Sequence, residues 1–220
     1  MIRLILVRHG NTFETGQKPT QVGAQSDLPL TLQGCEQARH FAHYLISEEI
    51  CPKAVYAGSL KRQIKTAQII SENLHLESQV RLHEAALTEI DYGAWEGLTS
   101  EEISSKWPHE YSGWTGAAQW PKGVFGRTQE EHLHDIKQWV GHLRDAFADG
   151  DAVVAVTSNG VMRFFYSFHE IEWRHLGHER QMENLKVKTG CFCELHIFNE
   201  FVEIKSWNLD PQNIVRKSLN

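Results

Sequence analysis

The start of the chain constrains its fold more than any other stretch. Ile2 to Val7 is an unbroken apolar run of strand length, and it leads straight into Arg8-His9-Gly10-Asn11-Thr12. A buried strand of this kind suits an open α/β sheet, where ligands bind outside the carboxyl ends of the strands. The sequence therefore places an imidazole nucleophile beside a cation at a ligand-binding edge. Gly10 is expected to let a phosphate-sized group approach the backbone closely. Three residues alone do not separate this reading from ordinary polar residues leaving a strand.

The periodicity that follows repeats the strand-to-helix pattern. Leu32, Cys35, Ala38, Phe41, Ala42, Leu45 and Ile46 recur at helical spacing behind Thr31, a good cap. Ala54 to Ala57 reads as a short strand, and Ile64, Ala67, Ile70 and Leu74 mark a helix whose first turn carries Arg62. Val153 to Thr157 is a further strand, with a helix over Gly160 to Phe168. Phe192 to Ile197 and Phe201 to Trp207, joined through Asn199-Glu200, predict a terminal antiparallel hairpin. The expectation is a single domain over 1–220, an α/β/α sandwich of three layers with a mostly parallel sheet. Leu98 to Arg127 reads as an irregular lid, with Pro108, Pro121 and glycines among Trp107, Tyr111, Trp114, Trp120 and Phe125. A long excursion from an α/β domain is usually functional, although the same aromatics could form a satellite core.

Three later stretches turn the opening motif into a pattern. Gly23 to Ala38 reads GAQSDLPLTLQGCEQA, Gly58 to Ala67 reads GSLKRQIKTA, and Leu87 to Gly97 reads LTEIDYGAWEG. In this order the chain resembles the histidine phosphatase superfamily, the phosphoglycerate mutase-like proteins. The family patterns matched are RHG-x-T, D-x-PLT-x-x-G-x-x-QA, S-x-L-x-R-x-x-x-TA and E-x-x-x-G-x-WEG, and the resemblance runs from Val7 to about Arg163.

The resemblance implies a phosphatase acting through a phosphohistidine on His9, with Glu89 as proton donor. Arg8 and Arg62 would hold the phosphoryl group, since a planar guanidinium fork can bond two of its oxygens and stays charged. Their charges should also push the His9 pKa down and keep the imidazole neutral for attack. Thr12, Asn11 and the backbone amides near Gly10 are candidate neutral donors. Glu96 is the rival carboxylate, but the family spacing favours Glu89, whose pKa burial would raise.

One departure qualifies this. The family's second catalytic histidine opens an HGG-x-x-R or HG-x-x-x-R stretch, and here Val153 to Arg163 read VVAVTSNGVMR. Ser158 stands in that place, with Asn159 beside it. A hydroxyl or amide is a weaker donor, for a loss of about 10² to 10³ in rate by analogy with an oxyanion donor. Asn159, the helix N-terminus at Ser158, or a histidine from the lid or the C-terminal region could compensate.

Composition removes other classes. A net charge of −6 argues against nucleic-acid or anionic-membrane partners. No run is long enough for a membrane helix and the N-terminus lacks a cleavage pattern, so a cytoplasmic protein is expected. Cys35, Cys51, Cys191 and Cys193 show no disulfide-scaffold density. Among 13 histidines the best metal candidates, His132 and His134, lie two apart on a helix and point about 200° apart, so both read as surface residues. His175 and His178 could share a helix face but have no evident partner. No metal or cofactor is implied, and the expected partner is a small phosphorylated metabolite; oligomeric state is open.

Three functions follow. The favoured one is a metal-independent phosphomonoester hydrolase, of reduced activity if Ser158 leaves the site short of a donor. The others are a phosphoglycerate-type phosphomutase and a binding or regulatory module that recognises phosphoesters without turnover.

Overall fold

The computed structural model describes residues 1–167, 185–199 and 201–218. Six strands form one sheet: β1 (Ile2–Arg8), β2 (Ala54–Ala57), β3 (Val80–Arg81), β4 (Ala152–Thr157), β5 (Phe192–Ile197) and β6 (Val202–Leu209), in the order β3-β2-β4-β1-β5-β6. β1, β2, β3 and β4 pair in parallel, while β5 runs antiparallel to both β1 and β6. The mostly parallel sheet and the terminal hairpin are both present.

The apolar run of β1 is continuous because both faces of the strand are covered. Leu4 and Leu6 join a core with Tyr56, Val153 and Ala155, and Ile5 and Val7 join another with Val55, Val154 and Val156. Helices α1 (Leu32–Ser47), α2 (Lys61–Leu74) and α7 (Pro211–Ser218) pack on the second face. α5 (Gln129–Ala146), α6 (Asn159–Ser167) and the segment before α5 cover the first. This is the three-layer sandwich. Thr31 caps α1 by accepting the Gly34 amide at 3.1 Å. Ala38, Phe41, Ala42 and Leu45 form the buried stripe of α1, whereas Leu32 and Ile46 lie off it and are exposed.

The segment expected to be an irregular lid carries two helices, α3 (Ser100–Lys106) and α4 (Pro108–Ala117). Thr99 and Glu102 form a capping box that starts α3, and Pro108 sits in the first turn of α4, where its missing amide costs nothing. Pro108 thus starts a helix rather than preventing one, and Gly113 and Gly116 are accommodated inside α4. Trp95, Trp107, Tyr111, Trp114, Trp120 and Phe125 make a chain of ring contacts, several edge-to-face, so the aromatics do form a packed core. Tyr111 and Trp114 also face the cleft.

His134 is exposed as expected, but His132 is not a surface residue: it is 4% exposed, edge-on to Phe164 with ring centroids 5.0 Å apart. Two positions on, the helix has turned to the opposite side, so one histidine is buried and the other solvated. Burial first, with the charge of Arg127 second, lowers the His132 pKa to about 4. The unfolded chain binds the proton near the ordinary value and the folded chain does not, so stability falls as pH drops from about 6.5 toward 4. His132→Phe is expected to remove about 2 kcal/mol of the stability lost between pH 7 and pH 5, checked by chemical unfolding at both. His175 and His178 lie outside the described residues.

Candidate active site

Register brings the ends of three strands to one edge. Arg8 pairs with Thr157 across β1 and β4, and the His9 amide donates to the Thr157 carbonyl at 3.0 Å. β2 ends at Ala57, one turn before Arg62, and β4 delivers α6 with Asn159 and Arg163. Between them opens a cleft of about 830 Å³ lined by Arg8, His9, Arg62, Glu89, Asn159 and Arg163, among others.

His9 is 5% exposed, and its two ring nitrogens are differentiated. Nδ1 lies 2.7 Å from the Gly10 carbonyl, which can only accept, so Nδ1 carries the proton. Nε2 then has a free lone pair, which accepts the Arg62 Nε–H at 3.2 Å. The His9 pKa is held well below the ordinary imidazole value, by burial first and by Arg62 and Arg8 after it. The arginines act in the expected direction, but desolvation is the larger cause.

Arg62 is 1% exposed and held by neutral carbonyls: Nη1 donates to Ser26 at 2.7 Å, and Nη2 to Gly23 at 3.1 Å and Val22 at 3.4 Å. Glu96 sets that loop, accepting the Gly23 amide at 3.0 Å, the Gln25 amide at 3.1 Å and the Ser26 hydroxyl at 2.6 Å. Glu96 is therefore a clamp on the loop that aims Arg62 and lies outside the cleft, so of these two rivals Glu89 is the one that lines it. Arg8 donates from Nη1 to the Val187 carbonyl at 2.6 Å.

Glu89 is 7% exposed, and its carboxylate accepts the Ile90 amide at 2.9 Å and the Gly160 amide at 3.3 Å. The second of these comes from the first turn of α6, so Glu89 itself is the anion at that helix N-terminus. Burial nevertheless outweighs these bonds and the nearby arginines, and the Glu89 pKa is raised. Gly160 makes the approach possible: a Cβ there would lie 2.5 Å from the Glu89 carboxylate and 2.4 Å from the Tyr92 hydroxyl.

Several expected phosphate donors are already committed. The Gly10 amide donates to the Thr66 hydroxyl at 3.3 Å and the Asn11 amide to Gln37 at 2.8 Å. The Asn11 side chain lines the cleft, but its amide bonds the Phe13 carbonyl at 2.9 Å and Gln33 at 3.2 Å. Thr12 does line the cleft. Gly10 serves packing rather than ligand approach, because a Cβ would lie 2.1 Å from the Gly34 carbonyl of α1. Gly10→Ala is expected to destabilise the protein by about 3 kcal/mol, read from thermal unfolding, since both sides of the contact are backbone.

Ser158 is fully buried and does not line the cleft; its hydroxyl accepts Gln63 Nε2–H at 2.9 Å. Gln63 also donates to the Leu87 carbonyl at 2.8 Å, which pins the pair. No second histidine lines the cleft among the described residues. A Ser158→His ring would have to displace Gln63, so the single substitution is expected to destabilise by about 1–3 kcal/mol without raising hydrolysis. An increase in rate from Ser158→His alone would contradict this placement. Sequence reasoning gave no site role to Arg163 or Tyr92, both buried and cleft-lining. The i, i+4 spacing of Arg163 from Asn159 and the three-residue spacing of Tyr92 from Glu89 were the available signals.

Residues 4–210 match the family model described as histidine phosphatase superfamily (branch 1). The chain is 34% identical over 167 residues to phosphoserine phosphatase 1 of Hydrogenobacter thermophilus, covering 76% of this chain and 75% of that protein. It is 25% identical over 210 residues to phosphatase PhoE of Bacillus subtilis, covering 96% of each. Among solved structures, a mycobacterial glucosyl-3-phosphoglycerate phosphatase in complex with inorganic phosphate superposes with a TM-score of 0.74 at 23% identity, over 96% of this chain and 98% of that one.

Proposed function

Because the chain belongs to the histidine phosphatase superfamily, branch 1, we propose that it hydrolyses a small hydrophilic phosphomonoester through a phosphohistidine on His9. The observation that carries this is the tautomer of His9. With Nδ1–H held by Gly10, Nε2 is unprotonated and accepts the Arg62 Nε–H, and His9 lines the cleft with Arg8 and Arg62. An arriving phosphoryl group draws the Arg62 Nε–H onto one of its oxygens and frees Nε2 to attack phosphorus.

As the Nε2–P bond forms and the P–O bond to the leaving group breaks, the Glu89 proton passes to the departing oxygen. The positive charge on the phosphorylated ring is eased by the Nδ1–H bond to the Gly10 carbonyl. Water then attacks phosphorus and gives its proton to Glu89. The P–N bond breaks, phosphate leaves, and both groups return to their starting states. The outer cleft carries Gln17, Thr20, Gln21, Ser100 and Thr115, which favour a substrate with hydroxyl, amine or amide groups over an apolar one.

The test is hydrolysis of a phosphomonoester panel, including phosphoserine and sugar phosphates, in chelator. Acid quenching of the reaction against alkaline quenching then looks for an acid-labile, base-stable phosphoenzyme. Turnover in chelator with such an intermediate is the expected result; turnover that needs added metal would count against the scheme. The buried Ser158–Gln63 pair favours a second reading, a phosphoester binder without turnover. It predicts phosphate binding dependent on Arg8 and Arg62 with no hydrolysis of any panel member.

A further inference from the structure

We propose that Arg163, assisted by Asn159 on the same face of α6, is a phosphate-binding residue of this cleft and supplies the donors that Ser158 is misplaced to give. The inference rests on the reading of the cleft as a phosphoryl site. Arg163 is 6% exposed, yet it lines the cleft. One terminal nitrogen, Nη1, donates to the Trp114 carbonyl at 2.6 Å, and the group lies over the Trp114 ring at 5.0 Å. Anchor and stack fix its orientation. Nε is buried with no acceptor among the described residues.

A buried guanidinium ordinarily takes a carboxylate partner, because desolvating an unpaired charge is costly. Among the described residues Arg8, Arg62 and Arg163 have no carboxylate partner: their acceptors are backbone carbonyls and the His9 ring. The carboxylate nearest to all three in electrostatic effect is Glu89, which burial inclines toward its neutral form. The cleft lining thus carries more cationic than anionic side chains, and a phosphoryl dianion complements it. Asn159 accepts the Val187 amide through Oδ1 at 2.8 Å, a bond that engages its oxygen and not its amide nitrogen, and it lines the cleft four residues before Arg163. The site therefore draws its last donors from the first turns of α6 rather than from the residue preceding it.

The experiment is titration of the full chain with inorganic phosphate, followed by phosphorus NMR or calorimetry, so that it does not depend on turnover. Arg163→Met keeps the bulk over Trp114 and is expected to weaken binding by about 10- to 100-fold, the size of one or two charge-assisted hydrogen bonds. Arg163→Lys should fall between it and wild type, Asn159→Asp should weaken binding by repulsion, and Ser158→Ala should change it less than about 2-fold. If Arg163→Met is too unstable to assay, Arg163→Lys and Asn159→Asp carry the same test. Thermal unfolding of each variant separates a role confined to anchoring Trp114, which would lower stability and leave phosphate affinity unchanged. Unchanged affinity in these variants, beside normal binding by wild type, overturns this inference and leaves the function standing. Wild-type protein that binds no phosphate overturns both.

Discussion

His9→Ala is expected to lower turnover by about 10⁴-fold or more, the scale on which removing a covalent nucleophile acts, while the chain still folds. The ring contributes one hydrogen bond to Gly10 and one to Arg62, and Arg62 keeps its anchors on Ser26 and Gly23 without it. The structural cost is therefore a lost acceptor for one buried N–H, about 1–3 kcal/mol. Phosphate binding should survive, because the arginines remain in place and a cationic ring is not removed: His9 is neutral down to well below the ordinary imidazole pKa. Hydrolysis of a panel substrate by His9→Ala beside wild type, with phosphate affinity as the control, measures this. A variant that retains wild-type rates would eliminate the phosphohistidine route, and loss of binding together with turnover would point to collapse of the site instead.

Substituting Glu89 by glutamine should cost about 10² to 10⁴ in rate, the range of general acid–base catalysis, and the loss should depend on the leaving group. An alkyl alkoxide needs its proton in the transition state, whereas a nitrophenolate barely does, so sugar phosphates or phosphoserine should suffer far more than nitrophenyl phosphate. The pH profile carries the sign. Glu89 must arrive protonated, and its pKa is raised above the ordinary carboxylate value by burial, so wild-type kcat/KM should fall as pH rises through that raised value. Glutamine should abolish that limb. The acid limb, set by protonation of His9, should lie well below pH 6.5 in both proteins. An equal loss for every leaving group, with the alkaline limb intact, would remove Glu89 as the proton donor. Glutamine can accept only one of the amides that the carboxylate now takes from Ile90 and Gly160, so unfolding should also be measured.

Much of this protein is legible in one dimension. Apolar runs at Ile2–Val7 and Val153–Thr157, with helical periodicity after each, specify parallel strands buried on both faces, because backbone geometry ties side-chain direction to sequence spacing. The motifs around His9, Arg62 and Glu89 likewise identify groups that the strand ends bring to one cleft. Local rules also misled in a consistent way. Proline and glycine between 98 and 127 read as irregularity, yet Pro108 opens α4 and Gly113 and Gly116 lie within it, and His132 read as surface because its packing against the rings of Phe164 and Trp120 is not set by its own helix's spacing.

What only the tertiary structure decided is which polar groups were still free. Gly10 answers to Gly34, the Gly10 and Asn11 amides to Thr66 and Gln37, Glu96 to the loop behind Arg62, and Ser158 to Gln63. Each partner is at least two dozen residues distant, and a hydrogen bond or a backbone contact leaves no periodic trace in sequence. Arg163 is proposed as a site residue for the converse reason: the described residues around it leave a buried charge without a carboxylate, and that deficit exists only once the chain has folded around it.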